Sequence, residues 1–213
     1  MISEAKIISL NSGHPENMEW KDRAVVSSMR RHSVEGPLVV HEMSIEGNSF
    51  ASPEYHGREF SVLYAFGMTS AKKYLQLLGR DGYESGALGE NLTLDSFDED
   101  QVSVGDVFKI GEVIAQATFP RIPCDKVNIR MEHPQGRKLL EDCGCSGVYF
   151  RILKPGLIYK TDKVQMFEAA SVRIPISSVY RKIIHKQEWT AQDIQQAQLN
   201  GGLPKYFYDR WKN

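Results

Sequence analysis

Val102-Ser103-Val104-Gly105-Asp106-Val107-Phe108-Lys109-Ile110-Gly111 alternates like a half-buried strand with a glycine interruption, and Val113-Ile114-Ala115-Gln116-Ala117-Thr118 follows it. Alternation with a period of two is the strand pattern, and glycine inside it marks a bulge or a turn. The second run passes directly into Phe119-Pro120-Arg121-Ile122-Pro123-Cys124-Asp125-Lys126. Each proline fixes its own φ and biases the residue before it toward extended conformations. The connection is therefore stiff and holds Cys124 in one place. Arg121 and Lys126 put positive charge on either side of the sulfur, which favours the thiolate, the form that attacks electrophiles and binds metals. A buried structural cysteine is the plainer alternative, because free cysteine packs as a small hydrophobe.

Outward from this stretch the chain repeats the same punctuation. Upstream, Lys6–Leu10 reads as a strand ended by Asn11-Ser12-Gly13-His14-Pro15. A polar loop leads to a second strand over Ala24–Met29, and the basic trio Arg30-Arg31-His32 follows as a solvated strand end or an anion site. Pro37–Ile45 reads as a further strand, closed by Glu46-Gly47-Asn48, and Ser61–Phe66 as a buried strand or the start of a buried helix. Thr69–Leu78 has helical spacing, with Gly79 placed to end it. Gly86-Ala87-Leu88-Gly89-Glu90-Asn91 is a glycine-bearing turn before the strand-like Leu92-Thr93-Leu94.

Downstream, Asp125–Cys143 is mostly polar and partly helical, broken at Pro134-Gln135-Gly136. Gly147–Leu153 and Val164–Glu168 read as strands, the latter closing the array. Many short strands with few helices argue for a β-barrel or a strongly bent sheet over residues 1–170. From 171 to 213 the character changes to helical, with Thr190 as an N-cap, Gly201-Gly202-Leu203-Pro204 as a stop, and a last short helix over Lys205–Trp211. This is a small C-terminal helical extension.

The composition is that of an ordinary soluble globular chain, 41% hydrophobic and 25% charged, with a net charge of −1. No global field draws it to nucleic acid or to an anionic membrane. The N-terminus lacks the basic start and long apolar core of a signal peptide. Three cysteines make an odd number for a disulfide framework, so the expected compartment is a reducing cytoplasm. Cys143-Gly144-Cys145 is too tightly spaced, and lacks a second Cys/His pair at the usual interval, for a self-sufficient zinc site. It reads as a turn that could lie near Cys124.

Several of these pieces fall in a familiar order. Pro120-Arg121-Ile122-Pro123-Cys124-Asp125-Lys126 resembles the PR-x-PC-x-K signature of the MOSC family, the domain found at the C-terminus of molybdenum-cofactor sulfurases. Gly89-Glu90-Asn91-Leu92 resembles its G-E-N-L turn, Gly105-Asp106 its following G-D, and Gly147-Val148-Tyr149 with Pro155-Gly156 its glycine-aromatic strand and the turn after it. Ser27–Arg31 looks like its T-x-I-x-K element with Arg31 in the lysine's place, and the tail resembles the three-helix extension of the YiiM-like branch. Two departures stand out: the family's H-G-G-x-D-R segment is shortened to His56-Gly57-Arg58-Glu59, and a G-D before it is Gly47-Asn48.

The resemblance implies a closed, mixed β-barrel with short helices, of the pyruvate-kinase type. It also implies molybdenum cofactor (molybdopterin), with Cys124 as the metal ligand and catalytic sulfur; a soft thiolate suits a soft metal. Arg31, Arg58 and Arg121 are the candidates for forking onto a pterin phosphate. Asn91 offers a donor and an acceptor to the pterin ring, and Glu90 either contacts the cofactor or stabilises its turn. His56 and Lys126 complete the implied cofactor set. The functions implied are a reductase of N-hydroxylated compounds, a sulfur carrier using a Cys124 persulfide, or a non-catalytic cofactor-binding module. The expected partners are a small-molecule substrate or cofactor and, beyond it, a sulfur donor or a reductase protein. Nucleic acid and membrane are not expected.

Overall fold

Gly111, at a left-handed φ of 59°, turns the alternating stretch back on itself. It splits the stretch into two antiparallel strands, Val107–Ile110 and Val113–Pro120, in register from Val107↔Gln116 to Ile110↔Val113. In the computed structural model, which describes residues 4–52, 58–204 and 207, this hairpin is one side of a barrel. The elements in chain order are β1 (Glu4–Ser12), β2 (Glu16–Trp20), β3 (Arg23–Ser27), β4 (His32–Ser33), β5 (Leu38–Val40), β6 (Leu63–Gly67), α1 (Met68–Leu78) and β7 (Leu92–Leu94). They continue as β8 (Val107–Ile110), β9 (Val113–Pro120), α2 (Lys126–Arg130), α3 (Gly136–Asp142), β10 (Val148–Lys154), β11 (Gly156–Ile158), β12 (Lys163–Glu168), α4 (Ile176–Ile184) and α5 (Ala191–Asn200).

The sheet runs β12-β8-β9-β10-β6-β7-β1 and closes on itself where β1 pairs β12, Glu4↔Gln165 to Lys6↔Lys163. All its pairings are antiparallel except β6–β7, so the barrel is mixed. The fold expected from the sequence is the fold observed. The strand β12 closes it, as its position after the last strong strand suggested. Inside, Phe97, Phe108 and Phe150 meet with ring centroids 5.8–6.3 Å apart. Side chains, rather than a channel, fill a barrel of this size.

Several boundaries differ from the sequence reading. The polar loop before Ala24 is a strand, β2, which forms a hairpin with β3. Asn17 and Glu19 face solvent and Glu16 is half-buried, so the run carries little apolar signal. Of Pro37–Ile45, Leu38–Val40 alone is strand, paired with β11. Ser61–Phe66 resolves to strand: β6 begins at Leu63 and is buried along its whole length. The helix α1 ends as expected at a left-handed Gly79. Thr190 caps α5 through a capping box with Asp193.

Residues 102–106 are a buried turn rather than strand, and the cause is Asp106. Its carboxylate is fully buried and accepts from Ser103 N at 2.7 Å, Ala170 N at 2.9 Å and the guanidinium of Arg173 at 2.5 Å. The Gly-Asp pair therefore ties the barrel to the start of the C-terminal segment. Asn200, at the end of α5, extends the tie by donating to Val104 O at 3.0 Å and Val172 O at 2.6 Å. The apolar faces of this segment, Ile176, Val179, Ile183, Ala197 and Leu203, belong to the same apolar cluster as the barrel interior and β9. That covering explains why β9 is buried on both faces. Among the described residues, no helix is long and apolar enough to cross a membrane.

Asn200→Ala orphans two buried carbonyls, so it should cost about 1–3 kcal/mol per unmet group. The measurement is urea unfolding, with the midpoint lowered and the slope unchanged. An unaltered midpoint would mean that Asn200 does not hold the segment on the barrel.

Candidate functional site

Beyond Pro120, β9 gives way to the proline-stiffened loop, and that loop forms one wall of a pocket of about 620 Å³. Arg121, Ile122 and Cys124 come from the loop and Lys126 from the first residue of α2. Facing them are Ser27, Ser28, Met29 and Arg31 from the end of β3 and beyond, Phe50, Ala51 and Ser52, and Arg58 and Ser61. Leu88 and Gly89 close a third side, Phe119 and Tyr149 the barrel side, and Ile183 and Phe207 of the C-terminal segment the last. Cys124 is exposed, whereas Arg31 and Arg121 are 5% and 7% exposed.

The pocket's chemistry rests on those two guanidiniums. Arg31 Nε and Nη1 and Arg121 Nη1 are buried and have no hydrogen-bond partner among the described residues. Burial, with the charge of Arg121 acting in the same direction, holds Arg31 down to about 10 against the pull of Tyr149 and Glu90. Burial pushes the Tyr149 phenol up, against the pull of the Arg121 and Arg31 charges. Arg31 also lies against the Phe50 ring, 6.0 Å from its centroid. Among the described residues neither cation forms a salt bridge with a carboxylate, and a buried charge left without such a partner costs several kcal/mol. A multivalent oxyanion entering the pocket would remove that cost, and guanidinium forks match phosphate geometry.

Arg31 owes its position to the turn opposite it. Its N–H donates to Gly86 O at 3.1 Å, and Gly86 sits at a φ of 84° with its α-carbon so close that a Cβ would strike the Arg31 carbonyl. Glu90 stiffens the same turn. It is fully buried and accepts from Gly86 N at 2.7 Å, Leu88 N at 3.1 Å, Tyr83 Oη at 3.1 Å and Thr93 Oγ1 at 3.0 Å. Burial nonetheless pushes its carboxyl up.

Of the residues singled out in the sequence, Arg31, Arg58, Arg121, Cys124 and Lys126 therefore meet in one pocket. Glu90 and Asn91 do not line it. The Asn91 amide accepts from Tyr64 N at 3.2 Å and donates to Asn11 O at 3.2 Å, bridging β6 and β1 where β7 begins. Both residues of the Glu-Asn pair build the pocket wall from behind it. His56 lies outside the described residues. The sequence reading missed the serines, the aromatic wall and the contribution of the C-terminal segment. The glycine-aromatic strand had marked Tyr149 as a motif without marking it as a site residue. Nothing in the local pattern at Ile183 or Phe207 distinguishes a pocket wall from core.

The MOSC domain model matches residues 52–165, which contain the cysteine loop, the Gly86–Asn91 turn and Tyr149. The chain belongs to the MOSC domain family. Escherichia coli YiiM is 24% identical over 208 residues, covering 87% of this chain and 90% of that one. A reductase of Gibberella moniliformis is 28% identical over 165 residues, which is 75% of this chain and 29% of the longer fungal protein. The crystal structure of YiiM from Geobacillus stearothermophilus superposes with a TM-score of 0.78 at 24% identity, covering 98% of this chain and 97% of that one. The similarity to the two YiiM proteins extends over nearly the whole chain, and the likeness to the solved structure is one of fold.

Arg31→Met keeps much of the side chain's volume and removes a buried, unpartnered charge. Thermal unfolding without ligand should give a midpoint no lower than that of the parent protein, while the stabilisation conferred by added phosphate is lost. In the parent protein the folded-state pKa of Arg31 lies below its unfolded value. Its burial penalty is therefore fully present at neutral pH and lifts as pH rises through about 10. Phosphate stabilisation should accordingly fade over that interval. A variant that is destabilised yet still responds to phosphate would contradict this account of Arg31.

Proposed function

We propose that this chain is a molybdenum-cofactor-binding MOSC protein that reduces N-hydroxylated compounds, with Cys124 as the metal ligand. The observation that supports it best is the meeting, in one pocket, of an exposed thiol with buried guanidinium nitrogens that lack partners. That donor set fits a molybdopterin: Arg31 and Arg121 would take the phosphate, and the Ser27, Ser28 and Ser52 hydroxyls lie at hand for its polar edges. Cys124 would provide a soft sulfur ligand. When bound, the cofactor supplies two-electron redox chemistry at molybdenum.

The rest is the work of the chain itself. Phe119, Tyr149, Ile183 and Phe207 form an apolar wall, with the Phe119 and Phe207 rings 4.7 Å apart and the Phe119 and Tyr149 rings 5.1 Å apart. Such a wall excludes water and strengthens the electrostatics of the charged end. Arg58 and Lys126 line the same pocket and add positive charge to the path of an anionic ligand. Electrons would come from a separate reductase protein. The exposure of Cys124 also suits a second reading, in which the thiol carries sulfur as a persulfide received from a donor protein.

Cys124→Ser separates these readings. The position is exposed, so the fold should be retained within about 0.5 kcal/mol. Protein produced in a host that makes the cofactor should lose molybdenum by about tenfold or more relative to the parent, as measured by elemental analysis. Reduction of an N-hydroxylated amidine should fall with it, whereas Cys143→Ser and Cys145→Ser retain both. A parent protein free of molybdenum that carries cyanide-releasable sulfur on Cys124 would favour the carrier. One carrying neither would leave a binding module.

A further inference from the structure

The remaining cysteines form a second sulfur site that the pocket does not use. Cys143 closes α3 and is half-buried; Cys145, two residues on, is 2% exposed. Gly144 stands between them at a left-handed φ of 71°, and a Cβ there would meet nothing within 4 Å. The turn therefore faces open space at Gly144. The Cys143 thiol donates to Leu140 O at 3.2 Å, and the Cys145 thiol folds back to Cys143 O at 3.6 Å. Both sulfurs thus lie on the one turn, and each acts electrostatically on the other.

We propose that Cys143 and Cys145 form a thiol–disulfide exchange site for low-molecular-weight disulfides, with Cys143 as the attacking and Cys145 as the resolving sulfur. The assignment of roles follows from access. Cys143 is the thiol that solvent reaches, and Cys145 is shielded from anything except its neighbour. Charge distribution agrees with it: the contact with Cys145 pulls the Cys143 thiol down, and the same contact together with burial pushes Cys145 well up. The buried Glu99 carboxylate, fixed by Ser70 Oγ at 2.6 Å and Gly147 N at 2.6 Å, lies within electrostatic reach of both sulfurs and disfavours a thiolate on either, against the contact with Cys145 that favours one on Cys143. Burial makes Cys145 the harder of the two thiols to ionise.

The steps balance. The Cys143 thiolate attacks one sulfur of R–S–S–R, forms a mixed disulfide and expels R–S⁻. Cys145 then attacks the Cys143 sulfur as its proton passes to the departing sulfur, and the second R–SH leaves. The protein pair is oxidised by two electrons and the small disulfide is reduced to two thiols. This inference does not depend on cofactor binding. Its site lies four residues before Tyr149, and Tyr180 is within electrostatic reach of both Cys143 and Arg121.

The test uses full-length Cys124→Ser protein, so that the exposed thiol does not compete, and oxidised glutathione as the probe. After incubation the protein should carry no alkylatable thiol when denatured, should be lighter by two hydrogens with no adduct, and should yield a peptide linking 143 to 145. Dithiothreitol should restore both thiols. With Cys145 also changed to serine, glutathione should remain on the protein as a stable mixed disulfide at Cys143. Should that variant fail to fold, the double variant Cys124→Ser/Cys143→Ser gives an independent arm, in which native Cys145 should take up no glutathione. Two free thiols after incubation, a stable adduct on the Cys124→Ser protein, or glutathione on native Cys145 would each overturn the proposal.

Discussion

The pairing of β1 with β12 is the constraint on which everything else rests. Three residue pairs, Glu4↔Gln165, Ala5↔Val164 and Lys6↔Lys163, join the first strand to the last strand of the barrel. Without them the sheet would end in two unpaired edges, each exposing a row of backbone donors and acceptors. Closure across nearly the whole barrel sequence also sets the strand tilt and thereby the interior volume that Phe97, Phe108 and Phe150 fill. The pocket follows from this geometry, because its walls are the ends of strands and the loops between them. Cys124, Arg31 and Tyr149 come from segments far apart in sequence that the closed barrel brings to one place.

Within that frame the molecule uses buried polar groups in two different ways. Asp106, Glu90, Asn91 and Glu99 are fully or almost fully buried, and each is surrounded by backbone and side-chain donors that fix a turn or a strand junction. Such groups specify the structure. Arg31 and Arg121 are buried to the same degree but keep nitrogens without partners among the described residues. A folded chain carries such a deficit where a ligand is to make it good. The contrast between satisfied carboxylates behind the wall and unsatisfied guanidiniums in front of it separates scaffold from site.

Sequence patterns carried the barrel well and the site unevenly. The alternating runs, the glycines between them and the helical spacing after 170 reflect local rules that tertiary packing overrode at 102–106, where Asp106 binds Ala170 and Arg173. The polar strand β2 escaped notice because both of its signals, apolar alternation and β-branched residues, are weak in Glu16-Asn17-Met18-Glu19-Trp20. The Glu-Asn pair stood out as a motif, yet a motif records that a residue type is needed and not whether it faces a ligand or the scaffold. Asn91 illustrates the point: its amide is taken up by Tyr64 and Asn11, residues that no spacing rule connects to it.

The sequence by itself determined the class of fold, the stiff placement of Cys124 directly after the Pro120–Pro123 stretch, and the cationic residues beside it. These follow from dihedral limits and side-chain chemistry, which act over a few residues. Tertiary structure alone decided which cations are buried and unpartnered, that Glu90 and Asn91 stand behind the pocket wall, that Ile183 and Phe207 complete it, and that Cys145 is hidden while Cys143 is not. Burial and partner choice are properties of surfaces brought together across the whole chain. They come into being only when the barrel has closed and the C-terminal segment has packed on it.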